Sequence, residues 1–331
     1  MEVGKDLISG GERKAAERAM EKESSEISER DILRFSDYAE WFREGSCEAC
    51  LIVNRGISEH PCMFGFPKLD GSFSEAGRLF ERMERRAAEL GFSDLMGPVN
   101  YCTWMSYRFA VSGFSIHYFP DCENSPEAVD WLRRLHYREL YSYRSAAVLI
   151  DNPLLQRAAE SYRSLLSEGY RFLEYRGEEA LGLAGEIYEI SRDAFSAALL
   201  YSELPREAFN RIYLSRFRSL PLVLAAAFSP EGEMIGYIYG YPNPLGTEFI
   251  SKTSAVKRRF QKHGVYAALL CFGSELVRRA GYHEIVYHFQ CEQKPGFRRF
   301  PEQYESREKR YAVFSKSLRG GGGQEIRRGG L

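Results

Sequence analysis

The feature that most constrains the fold of this 331-residue chain is a strand-like run, a basic turn and an amphipathic helix, in that order, within residues 248–283. Residues 249–256 form the run, and the turn ends at Gly264. The basic residues of the turn are Lys257, Arg258, Arg259, Lys262 and His263. This order directs unpaired backbone N–H groups and a helix N-terminus at one point, which favours a phosphate or a pyrophosphate. An ordinary strand–turn–helix with a solvated basic turn is the alternative.

Apolar side chains along residues 265–279 predict one buried helical face. Val265, Leu269, Phe272 and Leu276 recur at spacings of i, i+4, i+7 and i+11. Gly281 stands where a helix-ending glycine belongs. We therefore expect a helix that begins at the glycine turn and packs along its length.

The turn resembles the cofactor loop of the GNAT superfamily of N-acetyltransferases, whose pattern is Gln/Arg-x-x-Gly-x-Gly/Ala after a strand that ends in Val. Residues 261–266, Gln-Lys-His-Gly-Val-Tyr, align with it, except that Tyr266 replaces the small last residue. The resemblance implies acetyl-CoA or another acyl-CoA as donor, bound by backbone and side chains around the turn. The donor-binding residues that it implies are Ser254, Ala255, Val256, Gln261, Lys262, His263, Gly264, Val265 and Tyr266.

The same resemblance predicts the organisation of the chain. The succession of strands, helix and strand recurs within residues 49–100, but no basic glycine turn precedes the helix at 74–90. Gly97-Pro98-Val99-Asn100, Thr103-Trp104 and Tyr107-Arg108-Phe109 resemble a phrase of bacterial proteins with two such units. We expect an α/β (α+β) fold of two tandem GNAT-like units, each a mixed, mostly antiparallel twisted sheet flanked by helices. The predicted parts are a charged, flexible leader (1–30), a degenerate N-terminal unit (31–152), a C-terminal unit with the donor site (153–318) and a disordered tail (319–331).

Local patterns predict further elements. We expect short helices over 35–42 and 130–141, a strand over 143–149, and a helix from 154 to 167 capped by Asn152-Pro153. Helices over 178–195 and 206–217 are expected to roof the acceptor pocket. A hairpin is expected from 222–228 and 234–240.

Charge and composition limit the partners. The chain is 44% hydrophobic and 27% charged, with a formal net charge of −1. Residues 251–331 nevertheless carry 17 Lys and Arg against 7 Asp and Glu, which favours an anionic partner there, either coenzyme A phosphates or a tRNA backbone. No apolar run is long enough to span a bilayer, no signal peptide is recognised, and seven scattered cysteines are typical of a reducing compartment. A cytoplasmic protein without a membrane partner is expected.

Acyl transfer to an amine by direct attack on a thioester requires a neutral amine, a polarised carbonyl and a protonated leaving thiolate. The family resemblance implies a tyrosine after the fifth strand as the acid, with Tyr304 first and Tyr311 second. His288 and Glu248 are the candidate bases, although a packed histidine is the commoner outcome. The family's usual Asn after the fifth strand is replaced by residues 290–294, Gln-Cys-Glu-Gln-Lys.

Cys47, Cys50, His60 and Cys62 have spacings that a zinc site could use. Cys50, however, begins an apolar strand, and no second Cys/His pair has ligand spacing. Buried thiols are the favoured interpretation, and no metal is expected.

Three hypotheses follow. The leading one is an N-acyltransferase that moves an acyl group from acyl-CoA to the amine of a small molecule. The second keeps the fold and takes an aminoacyl group from aminoacyl-tRNA, which Tyr266 and the basic residues Arg298, Arg299, Arg307, Lys309 and Arg310 favour. The third is a non-catalytic binding or regulatory protein. The sequence does not give the oligomeric state.

Overall fold

The structure is a computed structural model that describes residues 29–121, 124–294, 299 and 301–318. The predicted leader, apart from its last two residues, and the predicted tail lie outside this described part. The strands are β1 (Tyr38–Glu44), β2 (Cys47–Val53), β3 (Cys62–Leu69), β4 (Asp94–Gly97), β5 (Phe109–Ser112), β6 (Arg138–Leu149), β7 (Arg171–Arg176), β8 (Val223–Phe228), β9 (Met234–Pro242), β10 (Phe249–Val256), β11 (Glu284–Cys291) and β12 (Glu305–Ser317). The α-helices are α1 (Phe73–Glu89), α2 (Pro126–Arg134), α3 (Pro153–Ser167), α4 (Gly177–Gly182), α5 (Ala184–Phe195) and α6 (Val265–Arg279). Short helical turns span Glu29–Phe35, Arg258–Phe260 and Glu302–Tyr304, and a further helical stretch covers 206–217.

All twelve strands belong to one sheet, in the order β1-β2-β3-β4-β12-β6-β11-β10-β9-β8-β7, with β5 paired to β12. Only the β3–β4 and β10–β11 pairs are parallel among the described pairings. The predicted mixed, mostly antiparallel sheet flanked by helices is confirmed.

The strand plan repeats along the chain. An antiparallel series, β1–β3 in one half and β7–β10 in the other, leads to a parallel pair joined by a helix. That helix is α1 between β3 and β4, and α6 between β10 and β11. Each half therefore contains one crossover unit in a sheet that is otherwise antiparallel.

The two halves exchange strands at the centre of the sheet. β6 lies beside β11, and β12 lies between β4 and β6. Arg144 on β6, fully buried, is ion-paired with Glu305 and Glu308 of β12. The domain boundary near residue 152 stays a prediction. The strands before and after this residue belong to one continuous sheet.

Aromatic packing connects the halves on one face of the sheet. Trp104, which follows β4, lies against Phe195, Phe209 and Tyr213 at ring-centroid distances of 5.5, 5.1 and 5.4 Å. Its indole N–H donates to the Ser202 carbonyl at 3.1 Å. Because these partners belong to α5 and the 206–217 stretch, the N-terminal half forms part of the core beneath the helices of the C-terminal half.

Helix α6 covers the other face, as its apolar pattern predicts. Val265, Leu269 and Leu276 are buried beside Val256 of β10. Phe272 is only partly buried and stacks on Tyr162 of α3 at 6.0 Å. α3 begins as predicted, with the Asn152 side chain accepting hydrogen bonds from two backbone amides of its first turn.

Several local predictions differ from the structure. Residues 38–44 form edge strand β1 rather than a helix, because Phe42 points into the core while its neighbour Trp41 is largely exposed. α2 ends at Arg134, and 138–141 already belong to β6. The predicted helix over 178–195 is divided at Leu183, and 209–214 form a π-helical turn within the 206–217 stretch.

Candidate active site

The parallel strands β10 and β11 separate halfway along their length. Their register covers Phe249↔Ile285, Ile250↔Val286 and Ser251↔Tyr287, and then ends. β10 bulges between Ser251 and Thr253 and continues against β9. β11 bulges after Tyr287 and continues against β6. A wedge-shaped gap, which we call the splay, therefore opens between the carboxyl-terminal halves of β10 and β11.

Helix α6 begins at the open end of the splay. Its N-cap, Gly264, has φ +80° and offers no side-chain cap. A Cβ at this position would lie 3.3 Å from Ser161 of α3, so glycine is required by both conformation and space. The backbone N–H groups of Val265, Tyr266 and Ala267 have no intrahelical acceptor, and no other acceptor for them occurs within the described residues. Together with the helix dipole, they make this end of the splay attractive to an anion.

The basic turn is partly neutralised. Lys257 pairs with Glu233 at 2.7 Å, and Arg259 pairs with the same carboxylate. The hydrogen bond from Lys257 holds the pKa of Glu233 below its usual value. The backbone N–H of Arg258 donates to Asp193 at 2.6 Å. Lys257 and Arg259 are thus neutralised by one carboxylate, and the Arg258 guanidinium donates to the Ser196 hydroxyl.

Lys262 and His263 remain exposed beside the N-terminus of α6. No ion pair to Lys262 occurs within the part of the chain that the structure describes. Gln261 has a different function: its side-chain amide donates to the Val256 carbonyl at 3.0 Å and closes the loop on the end of β10. Lys262 is therefore an exposed cation close to the anion-attracting N-terminus of α6.

Tyr266 lies across the splay. The residue is 49% exposed, but its hydroxyl end reaches the Ser254 side chain on β10. Burial of that end raises the pKa of Tyr266, and the hydrogen bond with Ser254 partly opposes the rise. Of the predicted donor residues, Ser254 is thus already engaged, while Ala255 and Val256 are buried. A ligand that follows β10 must pass or displace this ring.

A small cavity lies under α6 near the point where the strands separate. Its volume is about 30 Å³, enough for one water molecule. Ser251, Tyr287 and Gly273 are among the residues that line it. The interior end of the splay is therefore narrow and mostly apolar.

His288 and Tyr311, two of the predicted catalytic residues, are joined through Ser145. The Ser145 hydroxyl lies 2.8 Å from Nδ1 of His288 and 3.2 Å from the Tyr311 hydroxyl. Nε2 of His288 lies 2.9 Å from the Pro120 carbonyl, to which it can only donate. Burial, followed by the charge of Lys252, holds the pKa of His288 well below its usual value. His288 is thus neutral, with Nδ1 available to accept from Ser145, and this arrangement fixes β11 where it leaves β10.

Glu248 and Tyr304, the other two candidates, lie elsewhere. Glu248 is buried and pairs with Arg307 at 2.6 Å. Tyr304 packs against the cluster that contains Phe249 and Ile285, at the start of β10 and β11 and away from the splay. The structure therefore brings His288 and Tyr311 together, and separates them from Tyr304. All four catalytic roles stay predictions.

A group of hydroxyls beside the bulge of β10 was not predicted from the sequence. Thr253, directly after the bulge, lies 2.9 Å from the Tyr213 hydroxyl, which is itself 2.9 Å from that of Tyr239. The π-helical turn of 209–214 presents Tyr213 to the sheet. Alternation of tyrosines along β9 was the available indication, because a period of two places them on one face.

Cys47, Cys50 and Cys62 are buried thiols, as predicted. Cys47 and Cys50 belong to core clusters on opposite faces of β2, since three positions along a strand reverse the side chain. Burial raises the pKa of Cys50 and of Cys62 to about 12. Within the described residues, no group of three or more His, Cys, Asp or Glu side chains could hold a metal ion.

Most of the cations that favoured a nucleic-acid surface are paired. Arg299 and Arg310 contact Glu292, Arg307 contacts Glu248 and Glu284, and Lys309 pairs with Asp121 at 2.6 Å. Arg298 lies outside the described residues. Four of these five cations therefore contact carboxylates of the fold.

No helix among the described residues has the length and apolar character needed to cross a bilayer. No family model and no curated protein sequence matches this chain.

Among similar solved structures, L-PGS from Bacillus licheniformis has 12% identity and a TM-score of 0.43, covering 95% of this chain and 93% of that one. A tandem GNAT protein from the clavulanic acid biosynthesis pathway has 11% identity and a TM-score of 0.48, with coverages of 94% and 96%. A GCN5-related N-acetyltransferase from Sphaerobacter thermophilus has 15% identity and a TM-score of 0.45, with coverages of 83% and 78%. GNAT proteins are thus among the structures similar to this chain, but likeness at these values carries no argument about activity.

Proposed function

We propose that this protein is an acyltransferase that takes an acyl group from acyl-CoA and transfers it to the amine of a small molecule. One observation carries the proposal: β10 and β11 separate beyond Ser251 and Tyr287, and the uncapped N-terminus of α6 lies at the open end of the splay. This arrangement offers a groove with unpaired backbone groups along its side and an anion site at its mouth.

Each part of the donor meets a matching part of the chain. The first-turn amides of α6 and the Lys262 side chain bind the phosphates. The edge of β10 beyond Ser251, which β11 leaves unpaired, accepts and donates hydrogen bonds to an extended amide-containing arm, as a strand would. The thioester supplies an activated carbonyl with a thiolate leaving group. The bulge at Lys252 lies deepest in the splay, so the reacting carbon is expected beside it.

His288 acts as a positioning residue in this proposal. Its Nε2–H is committed to the Pro120 carbonyl, and its Nδ1 accepts from Ser145. The ring holds the bulge of β11 and thereby the width of the splay.

An aminoacyl-tRNA donor is the second candidate, and Tyr266 is the observation that favours it. Its ring crosses the path that an arm running along β10 would take. The paired state of Arg299, Arg307, Lys309 and Arg310 speaks for the first candidate, since exposed, unpaired cations bind a phosphate backbone best.

Calorimetry with acetyl-CoA tests the proposal. The wild-type protein should bind, and Lys262→Glu should weaken binding at least tenfold, because a cation beside two phosphates becomes an anion. Lys68→Glu is the matched control, since Lys68 is an exposed lysine on β3 of the other half. Its affinity should equal that of the wild type.

Absence of acetyl-CoA binding by the wild type would overturn the acyl-CoA donor. A gel shift with bulk tRNA that weakens steeply with salt would then select the second candidate. Binding of neither ligand would select a non-catalytic protein.

A further inference from the structure

Arg108 is a buried arginine that the proposed donor site does not use. It lies between β4 and β5 in the N-terminal half and is 3% exposed. Its φ is +77°, a conformation that costs energy for a residue with a side chain. Its backbone N–H donates to the Pro98 carbonyl at 2.8 Å, which holds the residue in this conformation.

Aromatic rings surround the guanidinium of Arg108. Its central carbon lies 3.5 Å from the ring centroid of Tyr107, 4.1 Å from that of Tyr143 and 4.0 Å from that of Phe289. Rings stabilise the faces of a guanidinium by cation–π attraction, but they supply no acceptor to the N–H groups in its plane.

One of those N–H groups lacks a partner among the described residues. Nε of Arg108 is buried without a hydrogen bond, and no carboxylate pairs with the side chain among the described residues. Buried arginines are normally paired, because an uncompensated buried charge is strongly destabilising. Rings thus cover the faces of the cation, and its Nε edge has no acceptor among the described residues.

The position of Arg108 relates this edge to the splay. Phe289, which contacts Arg108, is also within 5.1 Å of the ammonium of Lys252, the bulge residue of β10. Phe289 itself has φ +55° and follows the neutral, buried His288. Tyr107, Lys252 and Phe289 are only partly buried, so the cluster is reachable from the surface. The charges of Lys252, Arg108 and Lys309 all act on His288, the residue before Phe289, and Lys309 is paired with Asp121.

We propose that Arg108 binds an oxyanion, a carboxylate or a phosphate, of the acyl acceptor. The identification of the ligand as the acyl acceptor rests on the proposed acyltransferase function. The anion site itself does not depend on that function. The planar fork of the guanidinium suits bidentate contact with either oxyanion. An amine whose anionic group is held here would have its nitrogen at the bulge of β10, beside the carbonyl that it attacks.

The test uses the full chain and two small probes, inorganic phosphate and acetate. Titrations are made in a Lys262→Glu background, which removes anion binding at the mouth of the splay. We expect saturable binding of at least one probe, a loss of at least tenfold in affinity on adding Arg108→Met, and a smaller loss on adding Arg108→Lys, which keeps the charge without the fork. Arg133→Met, at an exposed arginine paired with Glu139 on the far side, should change nothing. A preference for phosphate identifies a phosphorylated acceptor, and a preference for acetate a carboxylate.

Two results would overturn the anion site: absence of saturable binding of both probes, or equal affinities with and without Arg108→Met. Thermal unfolding without anion keeps the test independent of folding. Arg108→Met should be at least as stable as the wild type if the charge awaits a ligand, whereas a marked fall in the unfolding midpoint assigns Arg108 a structural function. Acetyl-CoA affinity of Arg108→Met, with Lys262 intact, should equal that of the wild type. Failure of the wild type to bind acetyl-CoA while it binds a probe through Arg108 would overturn the donor and leave the anion site in place.

Discussion

We predict that the Tyr266 hydroxyl opposes donor binding. Its hydrogen bond with Ser254 holds the aromatic ring across the splay. A donor that lies along β10 displaces this ring and breaks the contact with Ser254. A hydrogen bond of this kind contributes about 1 kcal/mol, which corresponds to about fivefold in an equilibrium constant. Tyr266→Phe keeps the ring and removes the bond. We therefore expect the substitution to tighten acetyl-CoA binding by about fivefold.

Calorimetry at fixed ionic strength measures the effect, with Tyr38→Phe as control. Tyr38 also makes a side-chain hydrogen bond, to Arg86 at 2.9 Å, but it lies on edge strand β1. Its replacement should leave the dissociation constant unchanged. Weaker binding by Tyr266→Phe would refute the reasoning, since it would mean that the hydroxyl contacts the donor instead of obstructing it.

Three further predictions concern stability. Asn152→Ala should lower the free energy of unfolding by about 1 kcal/mol in urea titrations, because α3 loses its N-cap; an unchanged midpoint would contradict this. The pKa of His288 is lower in the folded chain than in the unfolded chain. As the pH falls below about 6.5, the unfolded chain therefore binds the proton first. The free energy of unfolding should decrease there by up to about 1.4 kcal/mol per pH unit. His288→Gln should remove this pH dependence. Urea titrations between pH 7.5 and 5 that give the variant and the wild type equal slopes of unfolding free energy against pH would contradict the prediction. A fragment of residues 31–152 should show no cooperative unfolding by circular dichroism, because β4 and β6 both pair with β12 in the whole chain.

Local features of this fold could be predicted from the sequence where one residue decides the conformation. Gly264 and Gly281 both adopt positive φ and bound α6 as expected, and Asn152 caps α3. The prediction of a helix over 35–42 was wrong because Trp41 and Phe42 suit either period, and only the position at a sheet edge selects a strand.

Contacts between distant residues could not be predicted in this way. Nothing local to Tyr304 indicates that β12 enters the sheet from the end opposite the splay. The surroundings of Arg108 likewise come from residues 143 and 289, far along the chain. The resemblance of residues 261–266 to a donor loop predicted a donor site, but it did not show that the Gln261 side chain donates to the end of β10.

The exchange of β6 and β12 sets an order of events during synthesis. When residues 94–149 emerge from the ribosome, the edges of β4 and β6 lack their partner strand, which residues 305–317 later form. Until then these two edges are open to pairing with other chains. The nascent N-terminal half must therefore wait for almost the whole remaining chain, and its protection from aggregation in that interval depends on the time taken to translate about 160 residues at some 5–20 residues per second.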